Sequence, residues 1–260
     1  MMPFLVIGDL SIPTFFIVIS LSLSFLVIYL SHRVDKYEFD RKIAFDIALI
    51  VMISGFLGGR LMHVIYEEPA FYKKHPWQIL YFWQGGYVFY GGFILCLLSV
   101  ITYCRINKIY FLKTADFFAP LLSLSHAFGR LGCFFAGCCY GAKCEIPWAI
   151  ENRHPTTLYL FFGELLIFAY LIFFERKIRD LNVAYLNGAV FMKWVLLHSL
   201  LRLNVEYYRD DFRGAFFSVP LFGNLSVSQL ISLILMFISL GYFISKMSYF
   251  RKVKIKSSAS

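Results

Sequence analysis

The sequence predicts an all-α integral membrane protein, a bundle of seven transmembrane helices. Hydrophobic residues make up 59% of the 260 residues and charged residues only 16%, well below the charged share of about 25% in soluble domains. Seven apolar segments reach the length of about 20 residues that crosses the hydrocarbon core as a helix. Because these segments occupy nearly the whole chain, we expect a single transmembrane domain over residues 1–260.

Each predicted span is an apolar run that ends at a cluster of polar, basic or glycine residues. The first, at 12–31, follows a segment without lysine or arginine and is not followed by a small-residue cleavage site. We therefore expect a retained helix and not a signal peptide. The remaining spans are predicted at 43–66, 86–104, 114–131, 157–174, 184–206 and 225–245.

Basic residues in the connections predict the orientation of the bundle. The connections after the first, third and fifth spans, together with the C-terminal tail, hold 15 lysines and arginines, whereas the opposite side holds eight. Cytoplasmic connections keep the larger share, so we expect the N-terminus outside and the C-terminus in the cytoplasm. This pattern, with a basic tail at an anionic leaflet, explains the net charge of +9 without a nucleic-acid partner.

Residues that are unusual in a membrane bundle gather toward the outer ends of the spans. An arginine at the centre of a span costs about 2.5 to 3.5 kcal/mol on insertion scales and is usually paired or functional, while paired glycines permit close approach of a backbone or a headgroup. We therefore expect a functional site at the extracytoplasmic face. The segments are Gly58–His63, Gly85–Gly92, Gly129–Gly141, Arg153–Tyr159 and Arg202–Arg209.

Five arginines of these segments are candidates for a phosphate site: Arg60, Arg130, Arg153, Arg202 and Arg209. Guanidinium groups match phosphate oxygens in bidentate geometry, and a phospholipid headgroup is the anion most available at this face. The alternative is that each arginine pairs with a nearby carboxylate or extends to the interface. Glu206 lies four residues after Arg202 and three before Arg209, so we expect the three to form a ladder on one helical face. This ladder either fixes Arg202 toward a ligand or is only a structural ion pair.

The chain resembles the prolipoprotein diacylglyceryl transferases between about residue 45 and residue 240. The family signature G-R-x-G-N-F-x-N-x-E-x-x-G is matched by Gly129, Arg130, Gly132, Phe134 and Gly141. Three further family motifs have counterparts in the same order: F-H-G-G is matched by F-Y-G-G at 89–92, R-H-P-S-Q-L-Y by R-H-P-T-T-L-Y at 153–159, and R-x-x-x-E-x-x-R by residues 202–209.

The departures from the family pattern include four positions that the family is thought to use in its site. Cys133 and Ala136 stand in place of the two signature asparagines, Cys138 in place of the signature glutamate, and Tyr90 in place of the histidine of F-H-G-G. The resemblance therefore implies a divergent member of the family.

The resemblance implies a multi-pass enzyme of the bacterial inner membrane with its active site toward the extracytoplasmic face. The family moves a diacylglyceryl group from phosphatidylglycerol to a lipobox cysteine thiol, so phosphatidylglycerol, a lipobox-containing precursor and membrane lipids are the expected partners, with no cofactor and no metal. Arg130 and Arg202 are expected to stabilise charge on the leaving phosphate, with Glu206 orienting them and Tyr90 donating a hydrogen bond. The expected substrate-binding residues are Arg60, Arg153, Arg209, Gly91, Gly92, Gly129, Gly132 and Gly141.

The sequence does not identify the base that activates the acceptor thiol. A tyrosine, with a reference pKa of about 10, is a poor general base at neutral pH, which weakens the case for Tyr90. His63, His126 and His154 are spare candidates, although a histidine near a helix end is more often structural. Two acids within spans, Asp46 and Glu164, are expected to brace polar partners there.

The six cysteines fall into two groups. Cys96 and Cys104 are interpreted as small core residues. The others have the spacing C-x4-C-C-x4-C in an outward-facing loop, where disulfides are favoured and free thiols, metal binding or redox chemistry are alternatives. Two further functions therefore stay open: a non-catalytic lipid- or lipoprotein-binding relative, and a thiol-redox membrane protein. This second group is Cys133, Cys138, Cys139 and Cys144.

Overall fold

The structure is a computed structural model that describes residues 4–7, 10–82, 85–180, 187–210, 216–219 and 223–257. Seven helices in these ranges have 18 residues or more. They are α1 (Thr14–Tyr37), α2 (Arg41–Met62), α4 (Phe89–Ile106), α5 (Phe111–Ala136), α6 (Thr156–Asp180), α7 (Ala189–Glu206) and α8 (Val227–Ser257). Between α2 and α4 come a π-helical turn (His63–Glu67), the short helix α3 (Pro69–Lys74) and a 3₁₀ turn (Pro76–Leu80).

The prediction of a helical membrane protein is confirmed. Within the described ranges, four helical segments are long and apolar enough to cross a membrane: Thr14–Tyr37, Arg41–Glu67, Thr156–Lys177 and Val227–Met247. All seven long helices overlap the seven predicted spans, while the number of membrane crossings and the orientation of the termini stay predictions. The first three residues of the predicted span 184–206, and Arg213 among the basic residues of the connections, lie outside the described residues.

Two short hairpins accompany the helices, so the expectation of an all-α chain needs a small correction. Strand β1 (Phe4–Ile7) pairs antiparallel with β2 (Leu10–Pro13), and β3 (Phe216–Val219) pairs antiparallel with β4 (Gly223–Ser226). Strands of four residues are too short for a periodic sequence signal. Strand β2 leads directly into α1, and β4 leads directly into α8.

The chain divides into two compact units, which we describe separately. The central unit is Tyr29–Thr114, and the main unit combines Met1–Ile28 with Ala115–Ser260. In the central unit α2 packs against α4, and in the main unit α7 packs against α6 and α8. A single domain over 1–260 stays a prediction.

One half-buried acid of α5 fixes the start of α7 in the main unit. The Asp116 carboxylate accepts hydrogen bonds from the backbone N–H groups of Gly188 and Phe191, the latter at 2.8 Å. These are amide groups that a helix N-terminus leaves without intrahelical partners, and Gly188 supplies the positive φ of 93° at the cap. The side chains that project from α7 are therefore held in a defined position relative to α5.

Candidate functional site

A cluster of polar side chains in the main unit joins three helices. His126 and Arg130 lie one turn apart on α5, Glu164 comes from α6, and His198 comes from α7. Arg130 donates to Nε2 of His126, with Nη2 at 3.3 Å and Nε at 3.4 Å. Nδ1 of His126 lies 3.3 Å from Oε1 of Glu164, and Nδ1 of His198 is hydrogen-bonded to the same oxygen. Glu164 is therefore the centre of the cluster.

The Glu164 carboxylate is 0% exposed. A buried charge is costly unless it is paired and hydrogen-bonded, and the remaining oxygen is satisfied by Ser123. The Ser123 hydroxyl lies 2.7 Å from Oε2 and 2.8 Å from the backbone carbonyl oxygen of Glu164. The expectation that Glu164 braces polar partners is confirmed. The same expectation for Asp46 is confirmed in the central unit, where Tyr103 donates to its carboxylate at 2.7 Å.

Helix α7 carries a stripe of three polar side chains spaced four residues apart: His198, Arg202 and Glu206. This spacing places successive members on one helical face. Nη2 of Arg202 lies 2.8 Å from Oε2 of Glu206, and both side chains are only 8% exposed. Ser226, at the end of β4, donates to the other Glu206 oxygen at 2.8 Å. The carboxylate therefore holds the guanidinium of Arg202 in a fixed place.

Arg209 does not continue this stripe, which corrects the helical ladder expected from the sequence. Helix α7 ends at Glu206, and the backbone of Arg209 forms an antiparallel bridge with Gly141. The bridge is possible because Gly141 lacks a side chain: an added Cβ would lie 2.4 Å from the carbonyl oxygen of Tyr208 and 2.7 Å from Cβ of His154. Gly141 therefore joins the loop after α5 to the segment after α7.

A small cavity of about 210 Å³ lies beside this loop. Its lining includes Gly137, Cys138 and Tyr140 of the loop after α5 and Arg153 and His154 of the segment before α6. Nη1 of Arg153 donates to the carbonyl oxygen of Gly141 and to Asp210, both at 3.1 Å, and its guanidinium stacks 4.6 Å from the ring centre of Tyr140. The loop, the cavity and Arg153 thus form one structural element.

The two remaining glycines of the signature have different surroundings in α5. A Cβ added at Gly132 would contact Phe15 and Ile19 of α1 at 3.2 to 3.5 Å. One added at Gly129 would meet no heavy atom within 4 Å in the described structure. Close helix packing therefore explains Gly132, whereas the space beside Gly129 is open.

Arg60, in the central unit, is 3% exposed and directs its guanidinium at backbone carbonyl groups. Nη2 donates to Gln78 at 2.7 Å and Nε to Ile79 at 3.3 Å. Further hydrogen bonds reach the carbonyl oxygens of Tyr81, Gly85 and Gly86. Arg60 thus organises the segment between α3 and α4, and its role at a phosphate stays a prediction.

Tyr90, Gly91 and Gly92 lie in the first turn of α4, also in the central unit. A Cβ on Gly91 would lie 2.3 Å from the carbonyl oxygen of Gly58, and one on Gly92 would lie 2.7 Å from that of Gly55. Both glycines therefore allow α4 to pack directly on α2. The contacts of Tyr90, Gly91 and Gly92 with substrate stay predictions.

The six cysteines, all within the described residues, are free thiols. The sulfur atoms of Cys133, Cys138 and Cys139 lie within 4.8 Å of one another, and Cys144 is not in this group. Hydrogen bonding with the Cys133 and Cys139 thiols, together with burial, raises the pKa of the Cys138 thiol far above its usual range. The expected disulfides are absent from the structure, although three sulfurs are grouped.

Among the residues that the structure describes, two sets of side chains have donor atoms close enough to share a metal ion. One is the sulfur group just described, and the other is His126, Glu164 and His198, whose ligand atoms also lie within 4.8 Å of one another. In the second set the Glu164 carboxylate is already hydrogen-bonded to Ser123 and His198, and the guanidinium of Arg130 is hydrogen-bonded to His126.

Sequence reasoning missed His198 and Ser123 and treated His126 only as a spare base. A signal was present: Ser123, His126 and Arg130 have the helical spacing of one face of α5, and His198 precedes Arg202 by four residues. What the sequence did not provide was the pairing of these faces through Glu164.

Comparison with known proteins places this geometry in a family. The family model described as prolipoprotein diacylglyceryl transferase matches residues 3–245. The chain is 32% identical over 245 residues to a phosphatidylglycerol–prolipoprotein diacylglyceryl transferase of Clostridium tetani, covering 90% of this chain and 92% of the relative. Proteins of the same name from Nitrosomonas europaea (31% identical; 87% and 83% covered) and Aromatoleum aromaticum (36%; 71% and 70%) are also similar. The chain therefore belongs to the prolipoprotein diacylglyceryl transferase family.

Proposed function

We propose that the chain is a phosphatidylglycerol–prolipoprotein diacylglyceryl transferase of the bacterial plasma membrane. In this reaction the sulfur of a lipobox cysteine forms a bond to the glycerol carbon of the diacylglyceryl group. The bond from that carbon to the phosphate oxygen breaks, and its electron pair leaves with glycerol phosphate. The thiol proton must be taken up by a base. The family match and the relatives' names support this assignment.

The observation that carries the proposal is the link between two motif arginines of the main unit. Contacts lead from Arg130 through His126 to Glu164 and His198, and His198 lies one turn before Arg202 on α7. The leaving phosphate gains negative charge in the transition state, so cations held in place beforehand stabilise it. Loss of one such preorganised donor typically costs about 3 kcal/mol, which is roughly a hundredfold in rate.

Glu206 acts in this proposal by orienting Arg202, because its carboxylate is fixed between the guanidinium and Ser226. Arg153 and Arg209 border the loop after α5 and contact the acceptor or the headgroup, together with Gly129, whose side of α5 is open; Gly132 and Gly141 support this region through their close packing. Arg60, Tyr90, Gly91 and Gly92 belong to the central unit, and their role as substrate contacts is proposed from the family resemblance alone.

The proposed topology has seven membrane spans, an outer N-terminus, a cytoplasmic C-terminus and an active site at the extracytoplasmic face. Seven long helices at the predicted positions and the excess of basic residues on one side support it. The proposed substrates are phosphatidylglycerol from the surrounding lipid and a lipobox-containing precursor protein.

The experiment is a transfer assay in vesicles. Purified protein is reconstituted with phosphatidylglycerol and a synthetic lipobox peptide, and the thioether-linked product is measured by mass spectrometry. We expect product with wild-type protein and a loss of roughly a hundredfold or more for Arg130→Ala. Arg176→Ala, on the exposed end of α6, is the matched control and should retain full activity. Equal activity of Arg130→Ala and Arg176→Ala would refute the proposed role of Arg130.

The same assay separates the other functions. A non-catalytic relative would bind phosphatidylglycerol in a manner that depends on Arg130 and Arg202 but would form no product. A thiol-redox protein is the second candidate, favoured by the sulfur group at Cys133, Cys138 and Cys139. It would lose its activity in Cys138→Ser and keep it in Cys96→Ser, whereas the transferase should still form product in both variants.

A further inference from the structure

The reaction proposed above needs a base, and the residue at the family's histidine position, Tyr90, is a poor one. The nucleophile is the thiolate of the acceptor. A cysteine thiol has a reference pKa of about 8.5, so most of it is protonated at neutral pH. We propose that His198 is the general base that takes the thiol proton on Nε2, with Glu164 and Ser123 as its positioning residues. This inference rests on the proposed function.

The tautomer of His198 follows from its hydrogen bond. Its Nδ1 contacts Oε1 of Glu164, a carboxylate that is fully buried and held on its other oxygen by Ser123 at 2.7 Å. An ionised carboxylate accepts only, so the proton of His198 is on Nδ1 and the lone pair is on Nε2. A carboxylate that orients an imidazole in this way is the arrangement by which a histidine acts as general base.

The ring of His198 is also fixed in direction and remains reachable. It packs 5.3 Å from the ring of Trp194 and edge-on to His126 at 4.7 Å between ring centres. Its side chain is 21% exposed. Within the part of the chain that the structure describes, no hydrogen bond is made by Nε2. The lone pair of this nitrogen is thus open to a ligand at the site.

The other histidines fit the role less well. His126 uses Nε2 to accept hydrogen bonds from Arg130, so its lone pair is engaged. His154 shares Nδ1 with the Tyr159 hydroxyl at 3.2 Å and has no carboxylate in its described contacts. His63 pairs with Glu67 at 2.6 Å, but that carboxylate is half exposed and solvated. His198 is the histidine of the main unit that combines a buried carboxylate on one nitrogen with an available second nitrogen.

The charges around His198 suit a base that must also release its proton. The charged groups are Glu164 on α6, Arg130 on α5 and Arg202 one turn away on α7, and the neutral imidazole of His126 also faces the ring. The Glu164 carboxylate offsets the positive charge of the imidazolium that forms when the S–H bond breaks. The proton then passes to the leaving glycerol phosphate or to water, so that His198 returns to its neutral form.

The test uses reconstituted protein in phosphatidylglycerol vesicles and measures the rate with two lipobox peptides, one with cysteine and one with selenocysteine. A selenol is ionised at neutral pH and needs no base. We expect His198→Gln to lower the thiol rate by about 10²- to 10⁴-fold at pH 7 while the selenol rate falls far less. The thiol rate of the variant should recover as the pH rises toward the pKa of the thiol itself. His63→Gln is the matched control, because His63 is paired with the carboxylate of Glu67 in the central unit.

The outcomes separate this inference from the function on which it rests. If wild-type protein forms no product with either peptide, the proposed function fails. If wild-type protein is active and His198→Gln loses the thiol and selenol rates equally, or loses neither, the assignment of the base is wrong. A selective loss of the thiol rate in His63→Gln would transfer the role to His63. Stoichiometric zinc in the purified protein that disappears in His198→Gln would also overturn it.

If His198→Gln does not fold, wild-type protein still provides the test. A base that takes the proton of the undissociated thiol should make the thiol rate level off at a pH well below the pKa of the thiol itself, while the selenol rate stays nearly constant. A wild-type thiol rate that keeps rising about tenfold per pH unit up to the pKa of the thiol would refute the inference.

Discussion

Gly91→Ala distinguishes helix packing from substrate contact at one predicted site residue. In the structure a Cβ at this position would lie 2.3 Å from both the carbonyl oxygen of Gly58 and Cβ of Met62. Nonbonded carbon contacts are favourable at about 3.5 to 4.0 Å. Two of the nearest atoms belong to the Gly58 backbone, which has no flexible side chain that can move aside.

Helices α2 and α4 would therefore have to separate by roughly 1 Å to accept the methyl group. Overpacking of this kind typically costs about 1 to 3 kcal/mol. For a chain of this size, a change of 1 kcal/mol in the free energy of unfolding shifts the melting temperature by roughly 2 to 4 °C. We expect the melting temperature of Gly91→Ala to fall by about 2 to 12 °C.

The assay is thermal unfolding in detergent, followed by tryptophan fluorescence, with product formation measured on the same preparations. Gly241→Ala is the matched control, because Gly241 lies within α8 and an added Cβ there meets nothing within 4 Å in the described structure. Identical melting temperatures for the two variants would refute the packing argument. Lost activity at unchanged stability would instead support a contact between Gly91 and substrate.

Three further predictions follow from other positions. Gly129→Ala should melt at or slightly above the wild-type temperature, because alanine favours a helix by up to about 1 kcal/mol and the space beside Gly129 is open. We expect the transfer rate of this variant to fall, because the proposed headgroup position uses that space. An unchanged transfer rate would argue against a headgroup at Gly129. Arg60→Lys should lose about 3 kcal/mol or more of stability, because an ammonium cannot reach five carbonyl groups and each hydrogen bond to a charged donor contributes about 1.5 to 3 kcal/mol. The control Arg105→Lys, at an exposed arginine, should melt like wild type. Equal melting temperatures of the two variants would contradict the hydrogen bonds assigned to Arg60. The rate of maleimide labelling of Cys138 in reduced protein, taken as the difference from Cys138→Ser, should keep rising above pH 9. The reason is that the raised pKa of the Cys138 thiol leaves little reactive thiolate at lower pH. A labelling rate that levels off near pH 8.5 would disprove the hydrogen-bonded thiol group.

The long helices and the family were predictable because both are encoded locally. An apolar segment of about 20 residues contains the whole signal for a span, and the first residues of α1, α2 and α6 fall within two residues of the predicted starts. Motifs such as the one from Gly129 to Gly141 are likewise short and continuous. The hairpin at β3 and β4 was not predictable in this way, because its strands are short and its pairing is set by the connection to α8.

The residues that brace the site were only partly predictable. Arg202 and Glu206 lie on one helix, so their spacing indicated the ion pair that the structure contains. Arg209 has nearly the same spacing, but its helix ends before it and its backbone pairs with Gly141 instead.

By itself, the sequence determined that this chain is a helical membrane protein, where its long helices lie, and which family it belongs to, because these properties depend on neighbouring residues. Only the tertiary structure decided which partner each buried polar group takes. Glu164 meets Ser123 and His198 across 41 and 34 residues of chain, and Arg60 meets carbonyl groups 18 to 26 residues away. A buried charge must find its hydrogen bonds among whatever side chains the packed helices bring next to it, and no local pattern specifies that choice.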